Sequence, residues 1–573
     1  MATKGTLFGS LFTKTLQAQK RVVSTSATKR QSIALKEIAP ITRPFQKVLE
    51  NINRLKLLKS SNEEPNIQTS AKVKPFEKIP GPKGLPIIGT LLDYTKKDGY
   101  RFDKLFEVFT EKSLQYGPVF KEQIANMTTV VITDPFEYKK VIRAEGKYPK
   151  RRVLDPWFLY REKNKMGQGL VNAQSSEWHK YRSVTAKRML KTKEVLEYCT
   201  SMDRVAEDFI THLSNLRNQQ NEVVGIENEC FKWAMESVGT FLFKTRLGCF
   251  GPNPPTQALE FIKHLQGLFH YMQILLYSSP IYQIIPTKPW KQYENHCDNV
   301  MRIGRSYIDK KVAEIQKNPT KEGEKSAFIE YMINQESLSE KEALSTCTDV
   351  LVGATETTTS GTLWAMYCLA KNPLIQEKLY EETKRVLPNN EAITPEKLSQ
   401  LHYVKAVIKE TFRLYPLTFT LSRYIEEDLE VGGYSLPAGT HVQANLYGMF
   451  RDSKFYPDPE TFKPERWLKE SDMDKELKGF SNLVWGHGAR MCIGRRFAEQ
   501  EMHIVLTKII QNFKIEYNHG TVEPVLNMVM NSDRPLLFSF IPRSSVTICM
   551  NCKPSYKPKV EHKINGRQYR FPP

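Results

Sequence analysis

The 573-residue chain carries 83 lysines and arginines against 63 aspartates and glutamates, a surplus of 83 − 63 = 20. That surplus suits an acidic protein partner or an anionic membrane surface, and with no recognised nucleic-acid module beside it a nucleic-acid partner is not expected. Nine cysteines at irregular spacing, an odd number, argue for a reducing compartment and against a disulfide framework, and no glycine-rich nucleotide motif marks a second fused catalytic unit.

Residues 1–36 hold Lys4, Lys14, Lys20, Arg21, Lys29, Arg30 and Lys36 among serines and threonines, with no acid before Glu37. This composition reads as a mitochondrial presequence, the alternative being a disordered basic tail. No run of about 18 apolar residues near the N-terminus predicts a membrane-spanning anchor. Residues 37–74 are polar and read as a linker, so a single large domain is expected over residues 75–543. It opens on Pro80-Gly81-Pro82-Lys83-Gly84-Leu85-Pro86, which cannot be helical.

From there to about Lys371 the pattern is mostly helical, apart from strand-like runs such as 128–133. Residues 268–285 are rich in leucine, isoleucine and tyrosine but broken by Ser278, Ser279 and Pro280. They read as a helix pair dipping into a membrane face, or as a buried core helix. Ser339 and Glu342 form a capping box, after which an apolar helical pattern runs until Asn372-Pro373. A helix of 32 residues would be about 48 Å long, enough to cross a domain. In its middle lies Gly353-Ala354-Thr355-Glu356-Thr357-Thr358. A carboxylate there is costly unless something uses it, and neighbouring hydroxyls can loosen helix hydrogen bonding and admit water.

Beyond this helix, Glu410 and Arg413 stand three apart on one helical face, and Pro464-Glu465-Arg466-Trp467 follows. Lys405 and Lys409 occupy a different face of the same helix. Short strands are predicted at 434–436 and 441–444, and a closing strand at 535–540. Between them comes Trp485-Gly486-His487-Gly488-Ala489-Arg490-Met491-Cys492-Ile493-Gly494, a lone cysteine ringed by glycines and followed by an amphipathic helix. Glycines at 486, 488 and 494 permit tight turns and close approach to a flat group, and the positive end of the helix favours a thiolate. Residues 544–573 hold six basic side chains and only Glu561 as an acid, and read as a mobile tail. The lone Cys549-x-x-Cys552 lacks a second ligand pair for zinc.

The cysteine loop resembles that of the cytochrome P450 family, Phe-x-x-Gly-x-Arg-x-Cys-x-Gly, with Trp485 in place of phenylalanine. The likeness runs over about 75–543 and implies a mostly α fold with a small β region, in which the long central helix crosses a haem. It implies haem b ligated by Cys492, with Trp485, Gly488 and Gly494 around it and Arg182, Arg423 and Arg490 holding propionates. Arg182 comes from Trp178-His179-Lys180-Tyr181-Arg182, similar to the family's Trp-x-x-x-Arg element.

The central stretch resembles the oxygen-activation motif, with Glu356 as acid, Thr357 as alcohol and Ala354 where glycine is usual. Glu410, Arg413 and Arg466 resemble a buried ion network that supports the loop. Residues 401–410 and 492–496 look like the mitochondrial branch, where Lys405, Lys409, Arg495 and Arg496 would dock an acidic ferredoxin. The implied activity is monooxygenation of a lipophilic substrate, steroid-like or xenobiotic, with O₂ and with NADPH electrons passed through ferredoxin reductase and ferredoxin. Pocket-lining candidates are residues 153–170, 351–355, 417–421 and 527–530. The location implied is the matrix face of the inner membrane. A haem-thiolate isomerase would share the loop without needing Glu356 and Thr357, and a haem sensor or carrier would need neither the relay nor the basic face.

Overall fold

A computed structural model describes residues 73–543 apart from 97, 126, 279, 322 and 323. The expected presequence, most of the linker and the basic tail therefore lie outside the described residues.

Helices dominate. Those that position the site are α1 (Asp155–Lys163), α2 (Ser175–Met189), α3 (Ile226–Phe243), α4 (Thr256–Leu276), α5 (Lys288–Lys317), α6 (Glu340–Lys371), α7 (His402–Leu414) and α8 (Arg495–Asn512). The sheet is small: β1 (Val119–Ile124), β2 (Met127–Ile132), β3 (Thr420–Tyr424) and β4 (His441–Asn445) lie in the order β1-β2-β4-β3. The β2–β4 pair is parallel and the other two are antiparallel. A mostly α fold with minor β regions is thus what the chain adopts.

Helix α6 organises the core. Ser339 Oγ accepts from the Glu342 N–H and the Glu342 carboxylate accepts from the Ser339 N–H, so the capping box is formed and the helix starts at Glu340. It ends at Lys371, before Pro373 opens the next helix. Of its 32 residues 25 are buried, so it is a core helix wrapped on nearly all sides rather than an amphipathic surface one. The break in that burial comes at Gly353, Ala354 and Thr357.

Two expectations need correction. Residues 268–285 do not form a helix pair: α4 runs to Leu276 with Leu268, Met272 and Leu275 buried, and only a 3₁₀ turn, Pro280–Gln283, follows. Ile274 on α4 is exposed, but the most exposed apolar side chains of this stretch are in the turn region, at Ile281, Ile284 and Ile285. Among the described residues no helix is long and apolar enough to cross a membrane. The closing strand begins later than expected, at Ser539, where residues 539–542 pair with Phe513–Glu516. Pro535 has no N–H to give a ladder, and the Leu536 N–H bonds Glu227 instead.

Candidate functional site: a cysteine loop beneath a buried helix

The loop before α8 is built on two strained glycines. Gly486 has φ +75° and Gly488 φ +59°, and a Cβ on Gly488 would collide with Glu145 Oε2. Gly494 differs: its φ is −84°, so its service is not a left-handed turn. It is the N-cap of α8, and its N–H is near enough to favour the Cys492 thiolate. The Cys492 N–H donates to Trp485 O at 2.7 Å, closing the loop.

Cys492 is the exposed one among the seven described cysteines; the other six are buried. The residue is exposed, yet its sulfur lies deep in the protein. Depth dominates and pushes the thiol up, while the Gly494 N–H, Arg182 and Arg495 pull the other way. Trp485 packs edge-to-face on Phe412, ring centroids 5.4 Å apart, and Phe412 in turn fills the space beside Gly361 of α6.

Arginines crowd this loop. Arg490 donates to Pro149 O at 3.0 Å, Ala173 O at 2.9 Å and Gln174 Oε1 at 3.0 Å, and its guanidinium lies 4.0 Å from the Trp178 ring centroid. Its Nη1 has no partner although it is buried. Burial first, then Arg151, Arg423 and Arg182, push Arg490 down to about 9. Arg182 is lowered to about 10 by burial. Arg151 is lowered to about 10 by burial and by its neighbours Arg423 and Arg182. Cations depressed by burial and by one another form a site short of anions.

Arg423 is less available than its neighbours. Glu145 takes its Nε, Ser422 O accepts from Nη1 at 2.8 Å, and His487 O lies 3.4 Å from Nη2. Its expected part in holding an anion is therefore shared with an internal partner. Arg151 was not among the sequence candidates. It sits in Pro149-Lys150-Arg151-Arg152, a run that looks like ordinary surface charge, and only tertiary structure brings it beside Arg182 and Arg490.

On α6, Glu356 is 4 % exposed and burial raises it to about 7, with Asn531 opposing. Asn531 Nδ2 stands 3.5 Å from Oε1, and Oε2 has no partner. The Thr357 hydroxyl donates to Gly353 O at 2.7 Å, competing with the helix hydrogen bond at that carbonyl. A Cβ added to Gly353 would touch nothing within 4 Å. A buried, under-satisfied acid and a threonine hydroxyl bonded to the helix carbonyl four residues back thus share one stretch of helix.

Glu410 lies at the other extreme. Arg413 Nε and Nη2 grip it at 3.0 and 2.9 Å, Arg466 Nε reaches Oε1 at 3.0 Å, and Trp467 Nε1 and the Lys463 N–H add 2.8 and 2.9 Å bonds. Spare guanidinium donors go to the carbonyls of Phe450, Pro457, Pro459 and Thr461. The pairing clasps α7 to the segment that carries Arg466.

The remaining candidates divide by exposure. Lys409 and Arg496 are exposed. Lys405 is half-buried and donates to Ser399 O at 2.9 Å, and Arg495 is half-buried between Glu499 at 3.0 Å and Asn482 at 2.8 Å.

The Cytochrome P450 family model matches residues 79–540. The chain belongs to that family. It is 47 % identical over 534 residues to Cytochrome P450 10 of Lymnaea stagnalis, covering 92 % of this chain and 96 % of that one. It is 33 % identical over 465 residues to Cytochrome P450 27C1 of Danio rerio, covering 80 % and 85 %. It is 31 % identical over 447 residues to a mouse protein named sterol 26-hydroxylase, mitochondrial, covering 75 % and 83 %.

Such relatives put this cytochrome P450 in the mitochondrial branch its sequence resembles. It is an oxidoreductase, and the family's cofactor is haem b with an axial cysteine thiolate. The residues present fit that group: one accessible cysteine under a helix N-terminus, an anion-short arginine cluster and an unpartnered Arg490 Nη1 suit a flat dianion bound through sulfur.

Proposed function

We propose that this cytochrome P450 is a mitochondrial monooxygenase that inserts one oxygen atom into a C–H bond of a lipophilic substrate, steroid-like or xenobiotic. The balance is RH + O₂ + NADPH + H⁺ giving ROH + H₂O + NADP⁺, with electrons relayed by ferredoxin reductase and ferredoxin. Haem bound through the Cys492 thiolate would supply oxygen activation, because thiolate electron density favours O–O cleavage. The protein's residues do the rest. Arg151, Arg182 and Arg490 hold the carboxylates, with Arg423 contributing beside Glu145. Glu356 passes protons inward and Thr357 orients the water that carries them.

The observation that carries this reading is Glu356, buried yet raised only to about 7, with one oxygen unpartnered. An acid that titrates near neutrality can both give and regain a proton, which an isomerase or a haem carrier would not require. Relatives named as mitochondrial sterol and vitamin D hydroxylases support the location and the substrate class. Exposed Lys409 and Arg496, with Lys405 and Arg495 beside them, supply a basic face for an acidic ferredoxin. Exposed Ile281, Ile284 and Ile285 supply an apolar tip for peripheral contact with the matrix face of the inner membrane.

The test is the carbon monoxide difference spectrum of the reduced protein, followed by turnover of steroids and xenobiotics. A Soret band near about 450 nm, then product that needs O₂, ferredoxin and NADPH together, is expected. Haem without that band would overturn the thiolate assignment. Product formed without O₂ or reductant would establish isomerisation instead.

A further inference from the structure

Arg161 of α1 and Asp349 of α6 are 188 residues apart in sequence and form an ion pair in the interior. Arg161 is 0 % exposed and Asp349 6 %. The same guanidinium donates from Nη1 to Gly167 O at 3.0 Å and lies 4.7 Å from the Trp157 ring centroid. The chain then folds over the pair at Gly169, whose φ is +65° and where a Cβ would collide with Asp349 Oδ2 and Arg161 Nη1. Next to Arg161, Tyr160 donates to Asp298 of α5 at 2.8 Å.

Stability alone does not account for this arrangement. Taking two charges out of water costs about as much as their attraction returns, and apolar residues of similar volume often do as well. Here the fit is also incomplete on the arginine side, since Arg161 Nε is buried without a hydrogen-bond partner, while the Leu170 and Val171 N–H groups favour the Asp349 carboxylate. What the pair supplies and apolar contact would not is direction. A planar guanidinium gripping one carboxylate and one carbonyl defines a single position for the segment that carries it. Asp349 precedes Glu356 by seven residues, close to two helical turns, so both project from the same side of α6. A cleft of about 750 Å³, lined in part by Tyr160 and Met166 from the α1 side and Ser345 and Thr348 from α6, lies alongside. It leaves room for the segment to shift.

We propose that Arg161 and Asp349 form a latch that fixes residues 155–172 against α6, in register with Glu356, and so sets the shape of the substrate pocket. They are positioning residues. For the effect on ligand choice the proposal rests on the reading that this segment borders the pocket; the tether itself does not.

The experiment compares the haem-loaded parent with Asp349→Asn and with Arg161→Met/Asp349→Leu. Deuterium uptake at amides 155–172 should be about tenfold faster in both variants while that of 402–414 is unchanged. The ratio of dissociation constants for imidazole and 4-phenylimidazole, read by Soret shift, should change about fivefold or more, a change of pocket shape that lost stability alone would not produce. Parent-like exchange and an unchanged ratio would refute the latch. Faster exchange with an unchanged ratio would remove its role in the pocket. If Asp349→Asn strands the arginine charge and fails to take up haem, the double variant, which buries no charge there, decides. A parent lacking the band near about 450 nm would overturn the proposed function while leaving the exchange result to judge the latch.

Discussion

Glu410 and Glu356 are both carboxylates buried on core helices, and they are treated in opposite ways. Glu410 receives five hydrogen bonds from Arg413, Arg466, Trp467 and the Lys463 N–H. Glu356 has one long contact to Asn531 and an oxygen with no partner. Satisfied from all sides, the first holds two segments together. Left short of donors, the second is pushed towards neutrality and can exchange a proton. The number of donors, not burial, separates the clasp from the proposed relay.

The sharpest way to break the comparison is to strip the satisfied site. Glu410→Gln leaves Arg413 and Arg466 buried without their anion, and removing one member of a buried ion network costs about 3–5 kcal/mol. The expected outcome is loss of haem content and a sharply lower Tm, with little stable protein recovered. Full haem content in Glu410→Gln would show that carbonyl acceptors alone hold the two arginines.

The second test acts on the unsatisfied acid. Glu356→Gln keeps the shape and removes the proton, so haem content should be normal while turnover falls about a hundredfold or more, the usual scale of lost acid–base catalysis. The variant should also lose a pH dependence of stability. Glu356 is raised from 4.5 to about 7. Between those values the folded protein retains a proton that the unfolded chain has lost, so stability falls as pH climbs through that window and levels off above about 7. Below about 4.5 both forms are protonated and the contribution vanishes. Parent and Glu356→Gln should therefore differ in the slope of Tm against pH from 4.5 to 7. Equal slopes would mean that water reaches the carboxylate and that it is not poised.

How far the sequence reveals these sites follows from how local each signal is. The capping box at Ser339 and Glu342 and the stop at Pro373 are written within a few residues, so the limits of α6 can be read directly. Cys492 and its glycines announce a special loop for the same reason, though only φ separates Gly486 and Gly488 from Gly494. Glu410 with Arg413 is visible as a helical pair, but the completion by Trp467 and the Lys463 N–H needs the fold. Pairings across hundreds of residues leave no local trace. Arg423 with Glu145 and Arg161 with Asp349 are of that kind, and so is the approach of Arg151 to Arg490.

The smallest effect is expected one residue away from the largest. Lys409 precedes Glu410 on α7, yet it is exposed while Glu410 is 0 % exposed. An exposed charge contributes little to stability, about 1 kcal/mol at most, so Lys409→Ala should leave haem content and Tm unchanged. Its field would still reach the proposed acidic ferredoxin. The ferredoxin-driven rate should fall several-fold at low ionic strength, further with Lys405→Ala added, and the difference from the parent should shrink as salt shortens the Debye length to about 3 Å near 1 M. Reduction by dithionite, which needs no docking, should be unaffected. A salt-independent loss would point instead to Lys405, whose bond to Ser399 O at 2.9 Å secures the turn before α7, and would make this face structural rather than steering.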